Sequence, residues 1–407
     1  MEENLKKNTI WNIIGTTINA FNSLFLMIIV TRINGVFDAG IFTFAFSVAT
    51  LLNIVGVYAG RIYQVTDQNE FSDKDYLINR IVSCSIMIII SFGYVFFKGY
   101  IFSKQVIILS LCFLKMLEAF SEVLYAYYQK EGNLYRVGIS LTLKGLFGLI
   151  AFLITDLISG NVILSIIMFI LSYLIVLNIY DLRNIDLKKI MHKRYDKKNV
   201  FRIFYKGFGV FATSFLTIYL INASKYAIDG NLSDDIQAVF GIIIMPATVM
   251  ILIAQFIIHP FLNMITKEIG DNNYKELNKI IFKIFLFILL FGTIGTIMCY
   301  FIGIPILEFI YNISLSGYSL CLCLIILGAT FYALTSVINT VLIALRRTVI
   351  QTVIYGVISL SVLFISNELA QKYGILGASL NYLLTMVISF VLFVIVYYFI
   401  LRKERLK

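Results

Sequence analysis

Charge is what this sequence has least of. Asp, Glu, Lys and Arg make up 14% of its 407 residues, against about a quarter in soluble domains, and polar intervals between the apolar runs are few. No water-soluble fold needs 60% hydrophobic residues and a mean hydropathy of +0.90, so the lipid bilayer is the solvent. The first apolar run carries Trp11, Asn12, Asn19 and Asn22 and has no small-residue cleavage site. It reads as a retained span rather than a signal peptide. The five cysteines, Cys84, Cys112, Cys299, Cys321 and Cys323, all fall in apolar stretches without a C-x-x-C or a Cys/His cluster. Neither disulfides nor a metal site is implied, and they read as small packing residues. No G-x-x-x-x-G-K-[ST] or H-E-x-x-H occurs, and no long outer loop offers acid, base or nucleophile. Built-in ATP hydrolysis and enzyme chemistry are therefore not expected, and no cofactor is called for.

What is present is a series of apolar runs of helix length, at residues 9–30, 38–59, 80–97, 105–127, 138–155, 161–180, 205–226, 237–258, 281–303, 318–344, 349–366 and 375–400. This predicts an all-α membrane protein of about twelve spans. Residues 1–180 are expected to form an N-terminal six-helix bundle, 181–204 a loose basic linker, and 205–407 a C-terminal six-helix bundle. The formal net charge of +10 would suggest nucleic acid in a soluble protein, but its placement points elsewhere. Alternate polar segments hold most of the Lys and Arg, including the stretch Arg183 to Lys206 and the tail Arg402, Lys403, Arg405 and Lys407. By the positive-inside rule these face the cytoplasm, with both termini, and meet anionic lipid headgroups. No nucleic-acid partner is expected.

The halves show a weak parallel repeat at an offset of 198 residues. It pairs Phe42 with Phe240, Ala49 with Ala247, Thr50 with Thr248 and Arg61 with His259. Two bundles related by an axis along the membrane normal could rock against one another, and Pro246, Pro305, Gly145 and Gly148 would let helices bend or pack closely.

An ionised side chain near the bilayer centre costs about 2.5–3.5 kcal/mol on insertion scales, so the charges within spans carry the most information. Lys115, Glu118 and Glu122 lie on one helical face at i, i+3 and i+7. Lys144 has no obvious partner within its own helix. Arg32, Arg61 and Lys225 lie at span ends. Two readings stay open. These cations line a cavity that receives a diphosphate, or they pair with acids and snorkel to the interface. Asn19, Asn22, Asn53, Tyr58, Tyr125, Asn222 and Asn339 suit sugar hydroxyls or helix-to-helix hydrogen bonds. Glu118, Glu122 and Asp229 are candidates for ion coupling by position alone.

Four stretches carry a family resemblance: VTRINGVFDAGIFTFAFS from Val30, GRIYQVTDQNEFSD from Gly60, NASKYAIDGNLSDDIQAVFGIIIMPA from Asn222 and YGILGASLNYLLTMVISFVLF from Tyr373. With them the chain resembles a polysaccharide repeat-unit flippase of the Wzx type, in the multidrug/oligosaccharidyl-lipid/polysaccharide (MOP) exporter superfamily. The resemblance implies two six-helix bundles around a central cavity, in a bacterial cytoplasmic membrane. The implied activity is alternating access on an undecaprenyl-diphosphate-linked oligosaccharide, such as a capsule, O-antigen or teichoic-acid unit. On that likeness Arg32, Arg61, Lys115, Lys144 and Lys225 would bind the diphosphate, with H+ or Na+ as coupling ion and the polymerase of the same pathway as a further partner. Flippases of the peptidoglycan precursor often carry extra helices, for which a chain ending at Lys407 leaves no room. The competing expectations are a cation-coupled multidrug antiporter of the same fold and a membrane polymerase or ligase of the same glycan pathway.

Overall fold

The computed structural model describes residues 2–67, 70–192, 195–345 and 347–405. Among them the chain is helical with no strand. Ten stretches are long and apolar enough to cross a membrane. The longest, Thr348–Arg402, is two helices that meet at Gly374, whose φ of 57° lies in the left-handed region that glycine adopts without steric cost. Phe102–Lys130, a 29-residue helix, is of spanning length as well, although Lys115, Glu118 and Glu122 interrupt it. The expected twelve are therefore present. They are α1 (Glu2–Ile33), α2 (Val36–Val57), α3 (Asp73–Lys98), α4 (Phe102–Lys130), α5 (Leu134–Ser159), α6 (Val162–Val176), α7 (Lys197–Asn231), α8 (Asp234–Ile258), α9 (Tyr274–Met298), α10 (Ser319–Ala344), α11 (residues 348–373) and α12 (residues 375–405).

Local sequence sets the helix ends. Gly35, at φ 90°, separates α1 from α2. The Ser72 hydroxyl accepts from the Asp75 amide at 3.1 Å while the Asp75 carboxylate accepts from the Ser72 amide at 3.0 Å, a capping box that starts α3. Left-handed Gly99 and Gly160 follow α3 and α5, and the Asn161 side chain caps α6 by accepting from the Ile163 and Leu164 amides. Beyond Val176 the helix continues as a π segment, Leu177–Leu182.

The chain divides into two compact units, Met1–Phe215 and Leu216–Lys407. The division falls within α7 rather than in residues 181–204, because the expected linker is stitched into the first unit. Arg136 Nη1 donates to the Asn184 carbonyl at 2.8 Å and Lys74 Nζ to the Met191 carbonyl at 2.8 Å. Asp75, already capping α3, also accepts from the Asp196 amide and from Asn199 Nδ2. Lys206 and Arg202 pair with Glu70, and Tyr58 donates to the Phe204 carbonyl at 2.9 Å while stacking on Phe211. Exposed ion pairs alone contribute little. It is the backbone contacts that hold this segment, so it is not loose.

In the first unit α1 lies against α5, where glycine is obligatory at the crossing. A Cβ on Gly138 would run into the Trp11 carbonyl, and one on Gly15 into the Gly138 carbonyl. Asn8 fixes the register, donating to the Gly132 carbonyl and accepting from the Tyr135 amide. Such close backbone approach gives dispersion contact where lipid removes the hydrophobic drive between helices. In the second unit Leu277, Ile281, Ile284 and Ile288 of α9 form one buried stripe against Leu334, Val337 and Val341 of α10. Leu220 and Ala223 of α7 share a second cluster with Ile354, Ile358 and Phe393. Of the residues paired by the 198-residue offset, Phe42, Phe240, Ala49 and Ala247 are all buried, whereas Thr50 is half-buried and Thr248 exposed.

Gly138→Ala should therefore lower the thermal midpoint in detergent, through an overpacking cost of about 1–3 kcal/mol. Gly93→Ala, with nothing near its Cβ, should leave the midpoint unchanged. Equal midpoints for the two variants would show that the α1–α5 contact does not depend on glycine.

Candidate functional site

Within the first unit α1, α2, α4, α5 and α6 line a half-open cavity of about 210 Å³, with Asn19, Asn22, Asn53, Glu118, Glu122, Tyr125, Lys144 and Tyr173 among its polar residues and Phe169 and Leu141 among its apolar ones. Each helix contributes at helical spacing: Asn19 and Asn22 one turn apart on α1, Glu118 and Glu122 one turn apart on α4.

At its base sits a buried ion pair. Lys144 Nζ lies 2.5 Å from Asp181 Oδ2, and the two residues are 2% and 0% exposed. The same ammonium donates to Ser121 Oγ at 2.8 Å and to Tyr125 Oη at 3.0 Å and lies over the Tyr173 ring. Around it Tyr173 donates to Ser121 at 3.0 Å and Tyr125 shares a 2.9 Å bond with Ser140. Tyr128 donates to the Asp181 backbone carbonyl at 2.7 Å. The ammonium has three donors, and all three are used. Asp181 stands in the π segment, where the widened turn presents it to the interior.

The other charges on the cavity wall are paired too. Lys115 Nζ is 2.7 Å from Glu118 Oε2, lies over the Phe46 ring, and its carbonyl accepts from Asn53 Nδ2 at 2.7 Å. Arg61, in the short helix Gly60–Thr66, places Nε 3.6 Å from Glu122 Oε2. Of the two readings left open by the sequence, pairing describes Lys115 and Lys144, and Arg61 faces an acid as well. Arg32 is exposed in the last turn of α1. In the second unit Lys225 is half-buried on α7 with no acidic partner among the described residues, and Asp229 stands one turn further on. His259 opens a short 3-10 turn, and its side chain lies outside the described residues.

Among the buried charges that the sequence did not single out are Asp181, Arg80 and Asp156. Asp181 falls in the expected linker, yet it is the acid that partners Lys144. Arg80, the first residue of the apolar run 80–97, is 5% exposed and Nη1 donates to the Gly56 carbonyl at 2.8 Å, where Ser83 also donates. It thus meets the partial negative charge at the end of α2. Asp156, fully buried, accepts from Asn34 Nδ2 at 3.2 Å and Ser165 Oγ at 3.0 Å and so ties α1, α5 and α6 together.

Lys144→Met should strand a buried carboxylate and destabilise the first unit by about 3–5 kcal/mol, whereas Lys144→Met with Asp181→Leu should recover most of that loss. Thermal unfolding of the single and double variants in detergent measures both. A double variant no more stable than the single one would show that the pair is not what the first unit depends on here.

No protein-family model matches the chain. It is 23% identical over 410 residues to "Capsular polysaccharide biosynthesis protein CapF" of Staphylococcus aureus, covering 97% of this chain and 99% of that protein. Among solved structures it is similar to the lipid II flippase MurJ in an inward closed conformation, with a TM-score of 0.68 at 16% identity, covering 95% of this chain and 87% of that one. It is also similar to an inward-facing multidrug resistance transporter of the MATE family, with a TM-score of 0.64 at 12% identity, covering 97% and 99%. The chain thus shares the fold of these two membrane proteins, a MATE-family transporter and a lipid II flippase.

Proposed function

We propose that this protein is a flippase that moves an undecaprenyl-diphosphate-linked oligosaccharide across a bacterial cytoplasmic membrane by alternating access. The observation that carries the reading is the likeness to a capsular polysaccharide biosynthesis protein along 97% of the chain, on a fold shared with a lipid II flippase. A polar, aromatic-walled cavity inside an otherwise apolar bundle supports it, since such a cavity is costly in a membrane protein without a polar ligand to receive.

Because Lys115 and Lys144 are committed to carboxylates and Arg61 faces one, the diphosphate falls first to Lys225, and Arg32 is a further candidate by its exposure at the end of α1 alone. Of these, Lys225 has no competing acid among the described residues. Arg61, Lys115 and Lys144 then shape the cavity rather than grip phosphate. Glu118, Glu122 and Asp229 are the acids available to couple H+ or Na+, and the two halves tilt in alternation, with both termini on the cytoplasmic side. A glycan polymerase working on the same repeat unit is the natural protein partner.

The second reading is a cation-coupled drug antiporter, favoured by the carboxylates of Glu118 and Glu122 on the cavity wall. Their pairing with Lys115 and Arg61 weighs against it, because a cationic drug needs an uncompensated acid.

In the source bacterium, loss of the gene should abolish surface glycan and accumulate the lipid-linked unit on the cytoplasmic leaflet, and Lys225→Ala should lower export about tenfold or more, in line with the loss of one charge-assisted contact. Unchanged surface glycan in the deletion strain would sink the flippase reading. For topology, cysteines introduced at exposed Lys189 and Lys372 should label from opposite sides of the membrane. Labelling from one side would overturn the orientation.

A further inference from the structure

The sequence left open whether the cations of the first unit line a cavity or pair with acids. In the fold the charges on the wall and directly behind it balance. Glu118, Glu122 and Asp181 stand against Lys115, Arg61 and Lys144, at separations of 2.7, 3.6 and 2.5 Å, and the next cation, Arg80, is taken up by the Gly56 carbonyl. A free phosphate would have to break these pairs, and a bare cation would find no spare negative charge. Either would compete with pairs already formed, and separating Asp181 from Lys144 would leave a buried charge uncompensated, which costs several kcal/mol.

What the wall still offers is neutral or already balanced hydrogen-bonding capacity. Asn22 Oδ1 is buried and accepts no hydrogen bond. An orphaned buried acceptor of this kind costs about 1–3 kcal/mol, which a ligand hydroxyl would recover. Asn19 and Asn53 add amide groups beside it, and Glu118 and Glu122 keep acceptor lone pairs beyond those used by Lys115 and Arg61. Phe169 and Tyr173 supply apolar ring surface on the other side. Amides and carboxylates facing aromatic rings match a sugar, whose hydroxyls donate and accept while its C–H faces are apolar. At about 210 Å³ the cavity is below the ~300–1,000 Å³ of drug-sized sites, which fits a single ring.

We propose that this cavity is a subsite for one uncharged sugar ring of the transported glycan, held through Asn19, Asn22 and the Glu118 and Glu122 carboxylates, and that it excludes both the diphosphate and charged sugars. The proposal rests on the flippase reading but is narrower, since it assigns the sugar to the first unit and keeps phosphate out of it.

The test uses the full-length protein in lipid nanodiscs with Leu141→Cys, a cavity-lining position, alkylated by N-ethylmaleimide and read by peptide mass spectrometry at residue 141. Methyl glycosides of a neutral hexose and of an N-acetylhexosamine should slow alkylation, whereas a methyl glycoside of a uronic acid and inorganic pyrophosphate should not. Asn22→Leu and, separately, Asn19→Leu should weaken the protection about tenfold, the equivalent of one hydrogen bond, with unchanged thermal midpoints reporting intact folding. Protection by pyrophosphate or the uronide equal to that by the neutral glycosides would overturn the proposal. So would absence of any protection, or full protection in both asparagine variants. Export in cells separates the two levels. Failure of the unmodified protein to support glycan export sinks the flippase reading, whereas normal export without glycoside protection sinks the subsite alone.

Discussion

Everything in the first unit answers to one constraint: a charge inside a bilayer must find its opposite within the protein. Lys144 and Asp181 meet that demand most completely, with both side chains buried and the ammonium shared among Asp181, Ser121 and Tyr125. The pair joins α5 to the end of α6, and through Ser121, Tyr125 and Tyr128 it takes in α4. The cavity wall is built on this triangle. Replacing such a pair by apolar residues is often neutral or better for stability, so its presence is better explained by the polar cavity it borders than by a gain in folding free energy.

The same constraint reshapes the functional reading. Lys115 and Lys144, which look available in sequence, are engaged by carboxylates in the folded first unit, Arg61 faces one, and the charges on and behind the cavity wall are close to balanced. A balanced polar cavity favours selection by hydrogen-bond geometry and ring surface over selection by net charge.

Continuity of chain also matters. The segment expected to be a loose linker is tied to the first unit by Asp75, Lys74, Arg136 and Tyr58, and the boundary between compact units lies within α7. The composition of residues 181–204 could not reveal this, because a basic polar stretch looks the same whether solvated or strapped.

The sequence by itself determined the membrane class and the twelve helices, because apolar run length is a local signal; several ends, such as the start of α3 at the Ser72 cap rather than at residue 80, lie outside the apolar runs. Helical spacing also foretold that Lys115 and Glu118 share a face, and that pair forms. Only the tertiary structure decided the long-range partners. Lys144 finds Asp181 across 37 positions because a π segment turns the aspartate inward, and Arg61 faces Glu122 because the short helix after α2 folds back on α4. Which charges are spent inside the fold and which remain for a ligand depends on where helices distant in sequence lie side by side, and no periodicity within a single helix records that.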